Sequence, residues 1–225
     1  MIPRRRLDEF INDADYVTQR NRRDGGRGSK QYLVWMCPYY KKWIAIKERS
    51  ASGNFLKRAP TYANVSCCED WLVFSNFKRW MERQPWDNGK TNLDKDLRIP
   101  GNKIYSPDAC RFIPPHVNGL LLTAAASRGK HPLGVSSSES KQLFRASVQT
   151  GGGLLQKWFK TATEAHSFFQ LEKANRIEAI VADWKGEPTF DSQIAENLLA
   201  VAVMLRYDRA EGRETISYFP LVERT

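Results

Sequence analysis

The sequence predicts an α+β protein built from two small folded units. In the first half of the chain, stretches with apolar residues at helical spacing lie beside short β-type stretches. In the second half, three strand-like stretches precede two helical ones, which predicts a small sheet backed by helices. The 225 residues suffice for one ordinary domain or two small ones, and an apolar share of 41% can form their cores.

The chain carries a large excess of basic residues. Its 35 Lys and Arg against 25 Asp and Glu give a net charge of +10 and a pI near 9.5. Each phosphate that a basic side chain neutralises releases a condensed counterion, so a protein this basic usually binds a polyanion. The excess is clustered, which favours a nucleic acid as the partner over a basic surface that only maintains solubility.

We expect a cytoplasmic protein with reduced thiols. No stretch approaches the ~20 apolar residues of a membrane span, and the basic N-terminus lacks the apolar run of a secretory signal. The four cysteines form no Cys-x-x-Cys pair, and adjacent Cys67 and Cys68 are poor disulfide partners. Buried thiols are therefore expected, and a zinc site that uses Cys68 and Cys110 is the alternative.

Residues 1–30 are predicted to form a flexible basic arm. Five basic residues surround a Gly-Gly pair with little apolar material to bury: Arg20, Arg22, Arg23, Arg27 and Lys30. Such an arm often follows the phosphate backbone or enters a minor groove, so Arg22, Arg23 and Arg27 are expected to contact DNA. An ordinary frayed terminus is the alternative.

Residues 31–126 are predicted to form one aromatic-rich domain. Its expected helices span 39–49 and 69–84, and its expected strands span 93–97 and 110–113. The second helix has an apolar stripe of four residues: Trp71, Phe74, Phe77 and Met81. Pro114-Pro115 then favours the start of a helix that carries Asn118.

The segment from 92 to 118 combines residue types that bind a hard metal ion. Asp94 and Asp96 lie two apart on a predicted strand, so their side chains are expected to share a face. Asn118 on the following helix adds an amide oxygen. Such oxygens suit Mg²⁺, which can hold a scissile phosphate and stabilise the leaving oxygen. The alternative is an acidic strand that pairs with nearby Lys and Arg.

An ordered set of short motifs in this segment resembles the ββα-metal core of phage HNH homing endonucleases. The motifs are Leu93-Asp-Lys-Asp96, Gly101-Asn-Lys-Ile-Tyr-Ser-Pro-Asp108, Cys110-Arg-Phe112 and Asn118. Family members often read Leu-Asp-Arg-Ile-Asp, then Tyr-Ser-Pro-Glu-Asn-Cys-Arg-Trp, then a helical Asn. The resemblance covers about residues 40–122. It implies that Asp94 and Asn118 hold one Mg²⁺ or Mn²⁺ ion, and that the protein nicks or cleaves DNA in the host cytoplasm.

The sequence departs from that family pattern at two positions. Lys95 stands where the family has its general-base His, and an ordinary lysine is a poor base at neutral pH. Lys95 is then a candidate for neutralising a phosphate, and Asp96 is the other candidate for the base. Ala109 replaces the middle Asn, which braces the loop between the strands in the family. His116 does not substitute, because two residues from Asn118 on a helix it points to nearly the opposite face.

A second unit is expected at 133–180, after a hinge-like stretch at 127–133. Its strands are predicted at 133–136, 143–149 and 155–159. Thr161-Ala-Thr-Glu164 is a capping box that opens a helix. Residues 181–225 are expected to form a C-terminal helical extension, with a helix over 191–206.

Residues 133–178 resemble an APETALA2-type DNA-binding domain, which is often fused behind a phage HNH core. The matching positions are Leu133-Gly-Val135, Phe144-Arg-Ala146, Trp158-Phe-Lys-Thr161 and Glu164-Ala165. The resemblance implies a three-stranded sheet that lies in the major groove of double-stranded DNA and is backed by one helix.

Alternation along the middle strand then predicts which side chains meet DNA. Phe144, Ala146 and Val148 are expected to face the helix. The expected DNA contacts are Arg145, Ser147 and Gln149 on the opposite face, with Lys141 and Lys157 near phosphates. A solvent-covered sheet face is the alternative.

Three functions are compatible with these patterns. The favoured one is a metal-dependent DNA endonuclease, supported by Asp94 and Asn118. The first alternative is a catalytically inactive HNH-fold protein that binds DNA or regulates, which Lys95 and Ala109 favour. The second is a protein-interaction module that acts on a polymerase, whose partner binding would be insensitive to salt.

Overall fold

The structure, a computed structural model, describes residues 3–25, 28–122, 130–150 and 153–218. The chain is α+β, as predicted, and divides into two compact units, Met1–Ile113 and Pro114–Thr225. We predicted the division between 126 and 133, so the segment that carries Asn118 belongs to the second unit instead of the first.

In its described residues, the first unit consists of short helices and short strands. The helices are α1 (Pro38–Ala51), α2 (Gly53–Arg58) and α3 (Phe74–Met81). The strands are β1 (Gln19–Arg23), β2 (Gln31–Met36), β3 (Ser66–Cys67), β4 (Asn92–Asp94), β5 (Ile104–Tyr105) and β6 (Arg111–Ile113). β1 pairs with β2 and β4 with β6, both antiparallel, whereas β3 and β5 are parallel.

An aromatic core holds the first unit together. All four residues of the predicted apolar stripe are fully buried in it: Trp71, Phe74, Phe77 and Met81. The single helix predicted over 69–84 is wrong, because the backbone is extended at Val73. There Ile11 inserts, donating its N–H to Leu72 O at 2.8 Å and accepting from Phe74 N–H at 3.0 Å. This pairing divides the segment into a 3-10 turn and α3.

The N-terminal residues do not form the predicted flexible arm. Phe10 is buried, and its ring meets the Trp43 ring edge-on at 5.7 Å. The Arg4 guanidinium donates to three backbone carbonyls, those of Arg49, Ser52 and Tyr62, at 2.9–3.0 Å. Two anchors, one apolar and one polar, therefore tie this segment to the core.

The second unit contains a three-stranded antiparallel sheet and two long helices. Its elements are α4 (Pro115–Asn118), β7 (Val135–Ser138), β8 (Leu143–Thr150), β9 (Gly153–Phe159), α5 (Ala162–Trp184) and α6 (Ser192–Ala210). The strand order is β7-β8-β9. The capping box is confirmed, since Thr161 Oγ1 accepts from Glu164 N–H and the Glu164 carboxylate accepts from Thr161 N–H.

The sheet packs closely on α5, and α5 packs on α6. Ala146 and Val148 of β8 are buried, as predicted. Gly134 has a φ of +73°, and a Cβ there would collide with the Phe169 ring of α5, so glycine is required on both counts. The helix predicted over 191–206 corresponds to α6, whose apolar residues Ile194, Leu198 and Leu205 are buried. None of the described helices is both long enough and apolar enough to cross a bilayer.

A buried polar cluster fastens the segment after α6 to α5. His166 of α5 lies with Nδ1 3.0 Å from Leu133 O, and Thr215 N–H donates to its Nε2 at 3.0 Å. Gln170 donates to Thr215 Oγ1, which in turn donates to Asp208. The Nε2 that accepts a hydrogen bond carries no proton, so His166 is the neutral Nδ1–H form.

Candidate metal centre and nucleic-acid interface

Asp94 ends the first strand of an antiparallel pair. β4 and β6 align Asn92 with Ile113 and Asp94 with Arg111. Asp94 is only 7% exposed. Its Oδ1 accepts from the backbone N–H groups of Asp96 at 3.0 Å and Leu97 at 2.7 Å. These two bonds turn the chain immediately after the strand.

The expectation that Asp94 and Asp96 share a strand face is therefore wrong. The strand stops at Asp94 because its own side chain accepts from the N–H groups of Asp96 and Leu97, and these bonds turn the backbone away from the strand direction. Asp96 lies in the turn instead and is much more exposed, at 43% of its side chain.

The Asp94 carboxyl has a strongly perturbed environment. Burial, and then repulsion from Asp96, raise its pKa to about 7, against the downward effect of the two backbone hydrogen bonds. No ion pair joins Asp94 to a cation within the described residues. A buried carboxylate beside a second one is stabilised by a cation, and carboxylate oxygen is a ligand that Mg²⁺ prefers. The residues here therefore fit a hard divalent ion.

Lys95 is engaged as a cation. Its side chain is buried, and Nζ donates to Asp96 Oδ2 at 2.7 Å and to Asn102 O at 3.4 Å. An ammonium group held in this way is a proton donor to its partners. The geometry is that of a fixed positive charge, as in the phosphate-neutralising role predicted for Lys95.

Asn102 braces the loop between β4 and β6. Its Nδ2 donates to Lys95 O at 2.6 Å and to Ile104 O at 2.7 Å, and its Oδ1 accepts from Ile104 N–H at 3.2 Å. Ala109 is buried and has no side-chain polar group to do this. We did not predict the role of Asn102 from the sequence, although the Gly101-Asn102 turn, with φ +77° at Gly101, was a signal for it.

Asn118 is the last residue of α4, a single turn whose Asn118 N–H donates to Pro114 O. It belongs to the second unit and Asp94 to the first, so their joint coordination of a metal stays a prediction. Over the residues that the structure describes, no group of three or more His, Cys, Asp and Glu side chains is placed to hold a metal. The predicted site has one carboxylate, from Asp94, and one amide, from Asn118, so it is not a group of this type.

The cysteines are free, and three of them are buried, as predicted. Hydrogen bonding to Cys68 and burial raise the pKa of Cys67, and burial raises that of Cys110. Both groups are therefore neutral thiols at neutral pH in the metal-free chain, and the zinc site at Cys68 and Cys110 stays a prediction.

The outer face of the second unit's sheet is cationic and aromatic. Arg145 pairs across the sheet with Ser136 and Trp158, donating from Nε to Ser136 Oγ at 3.3 Å. Its guanidinium lies 5.6 Å from the centre of the Trp158 ring, and Lys141 Nζ lies 4.3 Å from it. Ser147 and Gln149 continue the same face by alternation. We did not predict from the sequence that the Trp158 ring lies between two cations. The cross-strand register places it there.

Lys157 lies on the inner side of the sheet, and its contact with phosphate stays a prediction. It pairs with buried Ala146 and so belongs to the face that packs on α5, and its Nζ lies 5.2 Å from the centre of the Phe168 ring. The cause is the register of β9, which places Trp158 and not Lys157 beside Arg145.

The β1–β2 hairpin is exposed on both faces. Arg20 pairs with Trp35 and Arg22 with Tyr32, which puts two arginines and two aromatic rings on one face. The Arg20 guanidinium lies 5.7 Å from the centre of the Trp35 ring. The predicted contact Arg23 is also exposed on β1, whereas Arg27 lies outside the described residues. An exposed two-stranded ribbon with this composition suits a nucleic-acid groove.

Both family resemblances rest on the motifs of this chain alone. Protein-family models, curated proteins and solved structures were compared with the chain, and none of them matches it.

Proposed function

We propose that this chain is an HNH-type DNA endonuclease that hydrolyses phosphodiester bonds with one divalent ion, Mg²⁺ or Mn²⁺. The observation that carries the proposal is the strand, loop, strand and helix order around Asp94. Asp94 ends β4, β4 pairs with β6, and α4 begins at Pro115, two residues after β6 ends, and closes on Asn118. This is the ββα order of the HNH core that the motifs resemble, with Asp94 and Asn118 at the positions of the two metal ligands.

Asp94 and Asn118 are the residues that would hold the ion. The raised pKa of Asp94 favours this role, because a bound cation offsets both its burial and the repulsion from Asp96. When bound, the ion would stabilise negative charge that develops on the phosphate oxygens. Asn102 keeps the loop that follows Asp94 in one conformation.

Lys95 and Asp96 would act on the substrate as a pair. The Lys95 ammonium would stabilise a non-bridging oxygen of the scissile phosphate, and Asp96 would orient it. Asp96 is the more exposed of the two carboxylates and would accept the proton of the attacking water.

Two surfaces would hold the DNA. One surface is the sheet face that carries Arg145, Ser147, Gln149 and Trp158, and its side-chain donors suit base edges. Lys141 lies beside this face and supplies a positive charge for a phosphate. The hairpin face of Arg20, Arg22, Tyr32 and Trp35 adds charge and stacking surface.

A second candidate function is DNA binding without cleavage. The Lys95–Asp96 ion pair favours it, because neither partner is then a free base, and so does Ala109 in place of the bracing Asn. Asp94 would in that case be a buried acid without a metal.

A nicking assay separates the two. Supercoiled plasmid, and genomic DNA of the organism that encodes the chain, are incubated with the full chain at low salt in Mg²⁺, Mn²⁺ or EDTA. Wild type is compared with Asp94→Ala and with Asp183→Ala, an exposed aspartate on α5. Metal-dependent nicking that is lost only in Asp94→Ala supports the enzyme. A salt-dependent gel shift without cleavage, equal in all three proteins, supports the binding protein.

A further inference from the structure

The second unit contains a cavity of about 890 Å³. It opens where β8 continues past β7: β7 pairs with Leu143–Ala146, and Ser147–Thr150 line the cavity. α5 forms another wall through Phe169, Lys173, Arg176 and Ile180. Small-molecule sites commonly have volumes of about 300–1,000 Å³, so the space is large enough for a ligand.

Lys173 is a buried cation in the wall of this cavity. It is only 7% exposed, and within the described residues no hydrogen bond or ion pair reaches its Nζ. Its Nζ lies 5.6 Å from the centre of the Tyr218 ring. Burial, and then the charge of Arg176, lower the pKa of Lys173 to about 8, so the group is still mostly protonated at neutral pH. An unpaired ammonium in such a place is unfavourable unless a partner arrives.

The other charged lining residues have the same sign. Arg176 and Arg145 are cations, His116 adds a titratable nitrogen, and none of the described lining residues is Asp or Glu. The remaining surface is largely apolar and includes Leu133 and Ile180. A cavity with this lining is complementary to a negative group that is attached to an apolar body.

We propose that this cavity binds a small organic anion, whose charged group pairs with Lys173 and whose apolar body lies against Leu133 and Ile180. The anion supplies the hydrogen-bond acceptor that Lys173 lacks, and the apolar body removes the hydrophobic wall from water. The proposal does not depend on DNA cleavage, although Arg145, Ser147 and Gln149 line this cavity and also belong to the proposed DNA face. If Lys173 only filled space, its replacement by methionine would leave the affinity for an anionic ligand unchanged.

Two probes that share an apolar body test the proposal on the full chain. 1-Anilinonaphthalene-8-sulfonate is anionic, and N-phenyl-1-naphthylamine lacks the charge. Both are titrated by fluorescence into wild type, Lys173→Met and Lys185→Met, the last an exposed lysine at the end of α5. We expect Lys173→Met to weaken the anionic probe about tenfold or more, the usual effect of losing a charge-assisted hydrogen bond. The neutral probe and the Lys185→Met protein should be unchanged.

Competition identifies which anion the cavity takes. Decanoate should displace the anionic probe from wild type, whereas decanol and inorganic phosphate should displace it much less. Displacement by phosphate alone would overturn the apolar part of the proposal. Equal affinity of the anionic probe for wild type and Lys173→Met would overturn the site itself. Equal weakening of both probes by Lys173→Met would also overturn the site, since the loss would then come from a change in cavity shape. Lys173→Gln, a second neutral variant, is titrated in the same way and should match Lys173→Met.

Discussion

The Lys95 ammonium donates to the Asp96 carboxylate at 2.7 Å, next to the buried Asp94. This pair holds a positive charge beside the proposed metal ligand and leaves a carboxylate at the surface. In the proposed enzyme Lys95 has an electrostatic role, and Asp96, the more exposed carboxylate, accepts a proton. In the phage HNH endonucleases that the motifs of this chain resemble, the residue after the metal-binding Asp is the base, so under the proposal the two roles are divided here between two side chains.

The charge of Lys95, and not a base function, is expected to support cleavage. Lys95→Met should slow metal-dependent nicking by about a hundredfold, as the loss of one preorganised electrostatic contact does in other enzymes. Lys95→Arg keeps the charge and should retain most of the rate. Single-turnover nicking at fixed Mg²⁺ measures this, and gel shifts verify that both variants bind DNA. Equal loss of rate in both variants would indicate that Lys95 is the base.

Asn102 is expected to stabilise the first unit. Asn102→Ala removes the two bonds donated to the carbonyls of Lys95 and Ile104 and the one accepted from Ile104 N–H. The free energy of unfolding in urea should fall by about 1–3 kcal/mol. Asn88→Ala, at an exposed position before β4, should change it by less than about 0.5 kcal/mol. A similar small change in both variants would mean that Asn102 is not the brace.

Lys173 is expected to destabilise the folded chain at neutral pH. Its pKa falls from 10.5 to about 8 on folding, so Lys173→Met should raise the free energy of unfolding by up to about 3 kcal/mol. Below pH 8 both states of the wild type are protonated, and the advantage of the variant is complete. Between about pH 8 and 10.5 the folded state alone has lost the proton, so wild type gains stability and the advantage shrinks. Urea denaturation at pH 7 and pH 10 measures both values; a variant less stable at pH 7 would contradict this account.

Arg145 and Lys157 are expected to differ in their effect on DNA affinity, although both are cations of one sheet. Arg145 shares the outer face with Trp158, whereas Lys157 shares the inner face with Ala146. Arg145→Ala should weaken binding by about 1–3 kcal/mol, and Lys157→Ala should weaken it clearly less. Fluorescence anisotropy with labelled duplex at two salt concentrations gives both affinities. If Lys157→Ala has the larger effect, the inner edge of the sheet is the contact.

Local patterns in the sequence predicted much of the fold. The spacing of Trp71, Phe74, Phe77 and Met81 predicted a buried face, and Thr161 with Glu164 predicted the start of α5, because each signal lies within a few residues of chain. The alternation of β8 likewise predicted that Ala146 and Val148 are buried.

Contacts between distant residues were not predictable in the same way. Arg4 is held by carbonyls 45 to 58 residues away, so its segment looked free in the sequence. The inner-face position of Lys157 was not predicted, because the register of β9 depends on pairing with another strand. The turn after Asp94 forms because the Asp94 side chain accepts two backbone hydrogen bonds. The sequence did not reveal this turn, because two acidic residues two positions apart are equally compatible with a continuing strand.

Metal binding tests the central claim most directly, because the account requires one ion held by Asp94 and Asn118. Mn²⁺ is titrated into the full chain and free Mn²⁺ is followed by electron paramagnetic resonance, for wild type, Asp94→Ala, Asn118→Ala and Asp183→Ala. The account predicts one ion per chain in wild type and Asp183→Ala, and affinity at least about tenfold weaker in the other two variants. Equal Mn²⁺ binding by all four proteins, or none by wild type, would contradict it.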